Sequence, residues 1–149
     1  SAVFALGNED DLTRLLARVD ALASFVASED GGNLLTAYKR ASNIVRIEEK
    51  KDNKSHDGAV DAVLLEQAEE KDLHRALASA SEQAAHAVAK EEFAMAMAAL
   101  AQLRRPVDAF FDKVTVNCED AERRINRLRL LSAIRATLNK VADFSKIEG

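Results

Sequence analysis

One proline, Pro106, and five glycines are all that punctuate 149 residues, so this chain has few places to turn sharply and long stretches in which nothing interrupts a helix. Between these breaks Ala, Leu, Glu, Lys and Arg dominate, the composition of long helices joined by short connections, with little to build strands from. A hydrophobic content of 48% fills one continuous core, and the length suits a single domain over 1–149. Cys118, the lone cysteine, has no internal disulfide partner and forms no thiolate cluster. No apolar run approaches the roughly 20 residues of a membrane span, so with the lone cysteine a reducing cytoplasm is the expected setting; the start, Ser1-Ala2-Val3, lacks a basic leader but reads equally as the point where a longer chain was cut, and is left out of the argument.

Periodicity divides the chain into an all-α bundle of about five to six helices. Leu12, Leu16, Val19, Ala23 and Val26 recur at helical steps, predicting a first amphipathic helix from about Asp10 to Ala27 with that stripe inward. Gly31-Gly32 is read as its end, and a second helix to about Lys51 buries Leu34, Leu35, Tyr38, Ala41 and Val45. The polar stretch 52–58 is expected to be a mobile loop, followed by a short helical turn from Val60 to Leu65. A long alanine-rich helix spans about Glu69 to Ala89, and Phe93, Met97 and Leu100 mark another. Pro106 ends that helix and opens the next, and Asp120 caps a final helix to about Val141.

Chemistry is hard to find. His56, His74 and His86 are too far apart for a local ligand pair, and there is no Gly-rich phosphate loop. Asp108 and Asp112 share a helix face at i, i+4, which admits a carboxylate metal site, although ion pairing with the arginines that follow is the preferred reading. The net charge of −4 counts mildly against nucleic acid, but the charge is unevenly spread. Residues 57–72 carry six acids against Lys71, whereas Arg123, Arg124, Arg127 and Arg129 stand together without an acid.

The stretch from Pro106 to Val114, then Arg124-Ile125-Asn126-Arg127-Leu128 and later Val141-Ala142-Asp143-Phe144-Ser145, resembles the end of the beta chain of two-subunit bacterial glycyl-tRNA synthetases. The segment from Ala37 to Val45 resembles the same family's Lys-, Arg- and Asn-rich helix. The resemblance implies a C-terminal anticodon-binding domain of the type named after an Asp-Ala-Leu-Arg motif, which is varied here around Asp120-Ala121-Glu122-Arg123-Arg124. It further implies that tRNA-Gly is the partner, and that catalysis with ATP and Mg belongs mainly to a separate alpha subunit. The assembly so implied is a heterotetramer of two alpha and two beta chains. No cofactor or metal is then expected in this domain, and neither membrane nor DNA among its partners. The alternatives are a non-catalytic helical protein-interaction module and a metal-dependent helical enzyme using Asp108 and Asp112.

With RNA as the expected ligand, a helix advancing about 100° per residue lines up Lys39, Asn43, Arg46 and Lys50 on one ridge away from Leu34, Tyr38 and Val45. Cations there neutralise phosphates and an asparagine offers polar groups to a base edge, and Arg40 joins the set. On the final helix Arg124 and Arg127 share the face of Leu128, Leu131 and Leu138, and should reach inward to Asp108 or Asp112. Asn126 and Arg129 are expected on the opposite side, open to RNA, and one of Phe110 and Phe111 is left as the candidate for base stacking.

Overall fold

The computed structural model describes the backbone of residues 2–142 and the side chains of 12–141, so Asp143, Phe144 and Ser145 lie outside the described residues. Among the described residues six α-helices run α1 (Ala2–Ala27), α2 (Glu29–Asp52), α3 (Ala68–Ala89), α4 (Phe93–Ala101), α5 (Arg104–Lys113) and α6 (Ala121–Ala142). A 3-10 turn, Ala62–Leu64, precedes α3, and there is no strand among the described residues.

α2 and α6 form the axis of the bundle. Leu34, Tyr38, Ala41 and Val45 of α2 meet Leu131, Ile134 and Leu138 of α6, all buried in one core. The Tyr38 hydroxyl accepts a hydrogen bond from Asn139 Nδ2 at 2.9 Å, so the largest α2 core residue is polar-satisfied at its tip. α3 closes the other side of α6 and also packs on α4 and α5. Its buried positions, Leu73, Leu77, Ala80, Ala84 and Ala87, shrink along the helix, which lets α4 approach closely through Ala96, Ala99 and Leu100.

The helix ends follow from local chemistry. Asp120 Oδ1 accepts from the Glu122 and Arg123 amides at 3.1 and 3.2 Å and so caps α6. Pro106 sits in the first turn of α5, where its missing N–H costs no helical bond. The break between α1 and α2 falls at Ser28 and not at the glycines. Ser28 Oγ accepts from Gly31 N at 3.1 Å, and both glycines lie within the first turn of α2. A Cβ on Gly31 would stand 1.7 Å from the Phe25 carbonyl oxygen, so this residue is needed for close backbone approach.

α1 departs from the sequence expectation. It starts earlier than Asp10, and its supposed core stripe is largely outside: Leu12, Leu16 and Val19 are 53%, 53% and 49% exposed, and Ala23 is exposed. Phe25, with Ala21 and Leu22 beside it, anchors the helix instead. Periodicity identifies an apolar face but not what covers it, and among the described side chains of α1 those that reach the core are Ala21, Leu22 and Phe25.

Candidate nucleic-acid interface

α2 segregates its charges by face. Leu34, Tyr38, Ala41 and Val45 repeat at steps of four, three and four, and the same pattern continues to Glu48 and Asp52. These two acids therefore turn inward, where Arg124 of α6 takes both: Nη2 lies 2.8 Å from Glu48 Oε1 and Nη1 2.8 Å from Asp52 Oδ2. The hydrogen bond from Arg124, with a second from His56, holds the Asp52 carboxyl below the usual aspartate range. Glu49 accepts from the His56 amide at 2.6 Å. Every acid in the second half of α2 is thereby engaged away from the outer ridge.

That ridge carries Lys39, Arg40, Asn43, Arg46 and Lys50, all exposed. Among the described residues none of its four cations has a carboxylate partner. Arg46 Nη2 donates to Asn43 Oδ1 at 3.2 Å, which leaves the Asn43 Nδ2 group as the donor facing out. Two further residues escaped the sequence reading. Ile47 is 55% exposed between Asn43 and Lys50 and gives the ridge an apolar patch. Lys51, also exposed, extends the positive charge toward the helix end. The signal for Ile47 was its position four residues after Asn43, off the Tyr38–Val45 stripe.

At the edge of the ridge, the Arg40 guanidinium carbon stands 4.5 Å from the centroid of the Phe111 ring of α5. Phe110 is fully buried and meets Phe111 edge to face, with centroids 6.0 Å apart. Phe111, half-buried, is thus the member of the pair that reaches the surface.

α6 supplies less of the interface than its arginines suggest. Arg127 is buried as expected, but its partner is Glu70 of α3, with Nε 3.0 Å from Oε1 and Nη2 3.2 Å from Oε2; Nη1 donates to the Thr115 carbonyl at 2.7 Å. The expected carboxylates are elsewhere. Asp108 lies on the exposed side of α5 next to Arg104, at 3.6 Å, and Asp112 stands next to Lys113, at 3.7 Å. Asn126 is wholly buried, not open to RNA: its Oδ1 accepts from the Asp61 amide at 2.7 Å and its Nδ2 donates to the Asp61 carbonyl at 3.1 Å. Arg129 is half-buried, lies against Gly58 and donates to the Ala59 carbonyl at 3.3 Å. The segment after α2 folds back over this side of α6, which explains both corrections. The same fold-back anchors the loop expected to be mobile, since His56 is 1% exposed and its Nε2 lies 2.8 Å from Asp52 Oδ2.

No helix among the described residues is long and apolar enough to cross a membrane. The chain is 64% identical over 99% of its length to the glycine–tRNA ligase beta subunit of Rhodospirillum centenum, and 49% identical over its full length to that of Phenylobacterium zucineum. It spans about a fifth of the length of these curated relatives, 21% and 22% respectively. Residues 34–148, from the buried face of α2 onward, match the family described as the DALR anticodon binding domain, and the helical architecture of the described residues, built on α2 and α6, fits it: the chain belongs to the DALR anticodon-binding domain family.

Proposed function

We propose that this chain binds the anticodon arm of glycine tRNA through the outer ridge of α2, as the tRNA-gripping part of a longer glycine–tRNA ligase beta subunit. The observation that carries the reading is the separation of charge on α2: Glu48 and Asp52 are drawn inward by Arg124 while Lys39, Arg40, Arg46 and Lys50 stay outside without carboxylate partners among the described residues. A protein with net charge −4 thereby presents a positive face of the kind that exchanges phosphate contacts for released counterions. Asn43 and Ile47 add a polar donor and an apolar patch, suited to unpaired bases splayed from a loop.

The domain positions tRNA for aminoacylation and performs no chemistry itself. Glycine activation, with its ATP and Mg requirement, belongs to the alpha subunit, joined through the rest of the beta chain in a cytoplasmic assembly of two alpha and two beta chains. The family and the relatives' name support the tRNA-binding role and the place in a ligase beta subunit, while the alpha subunit's chemistry, its cofactors, the compartment and the assembly are what the resemblance implies. A gel-shift with glycine tRNA against an unrelated tRNA tests the binding, with tighter binding of glycine tRNA expected; equal or absent binding overturns it. Glycine-dependent exchange of pyrophosphate into ATP by this chain alone would overturn the assignment of chemistry elsewhere.

A further inference from the structure

We propose that Arg40 and Phe111 form a stacking platform for one unpaired base of the bound RNA, with the Arg40 guanidinium sandwiched between the Phe111 ring and the base. The inference rests on the reading of the α2 ridge as an RNA-binding face. One face of the Arg40 group is covered by Phe111 at 4.5 Å, while the side chain as a whole is exposed, so its outer face is open. Arg40 has no hydrogen-bond or ion-pair partner among the described residues, whereas Arg104, Arg123, Arg124 and Arg127 are all held by carboxylates. A planar, delocalised cation without an ion-pair partner and already seated on a ring is arranged for stacking, and base planes stack on arginine as well as on aromatic side chains.

The platform is held from behind. Phe110 is locked in the core and its edge-to-face contact at 76° sets the tilt of Phe111. The α5 carboxylates nearest in sequence to Phe111 lie beside cations, Asp108 beside Arg104 and Asp112 beside Lys113, which lessens their repulsion of a polyanion. Asn43 stands one helical turn along α2 from Arg40, with Nδ2 facing out, so a base seated on Arg40 has a hydrogen-bond donor next to its edge. Phosphates of the same strand then fall to Lys39, Arg46 and Lys50.

The test uses an RNA hairpin of anticodon-arm size carrying the fluorescent base 2-aminopurine at each loop position in turn. Stacking on the platform should change the emission at one loop position when the chain binds. Arg40→Lys keeps the charge but removes the plane, and Phe111→Leu keeps an apolar side chain but removes the ring. Both should bind roughly tenfold more weakly and lose the fluorescence change, while the slope of log affinity against log salt stays as in the parent chain. Circular dichroism melting establishes that each variant is folded, and Arg40→Lys, at an exposed position, keeps the test alive should Phe111→Leu unfold. Tight binding with no emission change at any loop position, or an unchanged signal in Arg40→Lys, overturns the platform and leaves the RNA-binding face standing. No binding of the hairpin by the parent chain overturns the RNA-binding reading, and the platform with it.

Discussion

Arg127 and Glu70, 57 positions apart in sequence, meet as a buried two-pronged pair between α6 and α3, Nε to Oε1 at 3.0 Å and Nη2 to Oε2 at 3.2 Å. Glu70 is 0% exposed and also accepts the Glu66 and Gln67 amides at 3.1 and 2.8 Å, so one carboxylate both caps α3 and fastens α6 to it. Arg127→Ala strips the buried carboxylate of its counter-charge and is expected to cost on the order of 3 kcal/mol. Urea unfolding of the variant checks this; a loss below about 1 kcal/mol would mean that water reaches the pair.

The same pair should shape the acid response. Burial pushes the Glu70 carboxyl up, but the hydrogen bond from Arg127 and those from the Gln67 and Glu66 amides outweigh it and hold the group below its ordinary range. A carboxylate depressed in the folded state contributes stability that is fully present above the unfolded pKa of about 4.3 and is lost as pH falls through the lower folded value. Glu70→Gln should therefore melt lower than the parent at pH 7 yet lose less on acidification from pH 5 to 3. Asp52 and Asp120, also depressed, keep part of the slope in the variant. Parallel melting curves of the two proteins across that range would contradict the account.

The two adjacent glycines of α2 should behave oppositely. A Cβ at Gly31 runs into the Phe25 carbonyl oxygen at 1.7 Å, a backbone atom that moves only with α1, whereas one at Gly32 meets the Val26 carbonyl oxygen at an ordinary 3.5 Å. Gly32→Ala should be neutral or stabilising by up to about 1 kcal/mol through helix propensity. Gly31→Ala should lower the melting temperature and expose the Phe25 anchor, read as faster amide exchange in the last turns of α1. Equal effects at the two positions would place the α1–α2 joint elsewhere.

Helix identity and order were legible because the signals were local: the Tyr38–Val45 stripe, the Asp120 cap and Pro106 in a first turn each depend on residues within a few positions. The burial of Arg127 was legible for the same reason, since it follows the Leu128 and Leu131 face. Its partner was not, because Asp108 and Asp112 are near in sequence while Glu70 is near only in the bundle. A trace existed nevertheless. Glu70 stands three residues after Gln67 in a capping box, and Glu48 and Asp52 prolong an apolar stripe, which marks acids that need inward cations. Asn126 and Arg129 could not be placed from helical phase, because the side of α6 opposite Arg127 is covered by a loop whose path the sequence does not reveal. On α2 no such cover intervenes, and the predicted ridge is exposed as read.

Lys50 and Arg129 should separate binding from stability. Lys50 is exposed on the α2 ridge with no carboxylate partner among the described residues, so Lys50→Ala should leave the melting temperature nearly unchanged, weaken RNA binding and reduce the slope of log affinity against log salt by about 0.7 to 0.9 for one lost phosphate contact. Arg129 instead holds the returning loop through the Ala59 carbonyl, and its side chain fills the space beside Gly58. Arg129→Ala should cost about 1 kcal/mol of stability, loosen the His56 amide in hydrogen exchange and leave the salt slope as it was. Paired melting and salt titration on the two variants decide the matter. A reduced salt slope in Arg129→Ala, with Lys50→Ala indistinguishable from the parent, would move the RNA-binding face from α2 to α6.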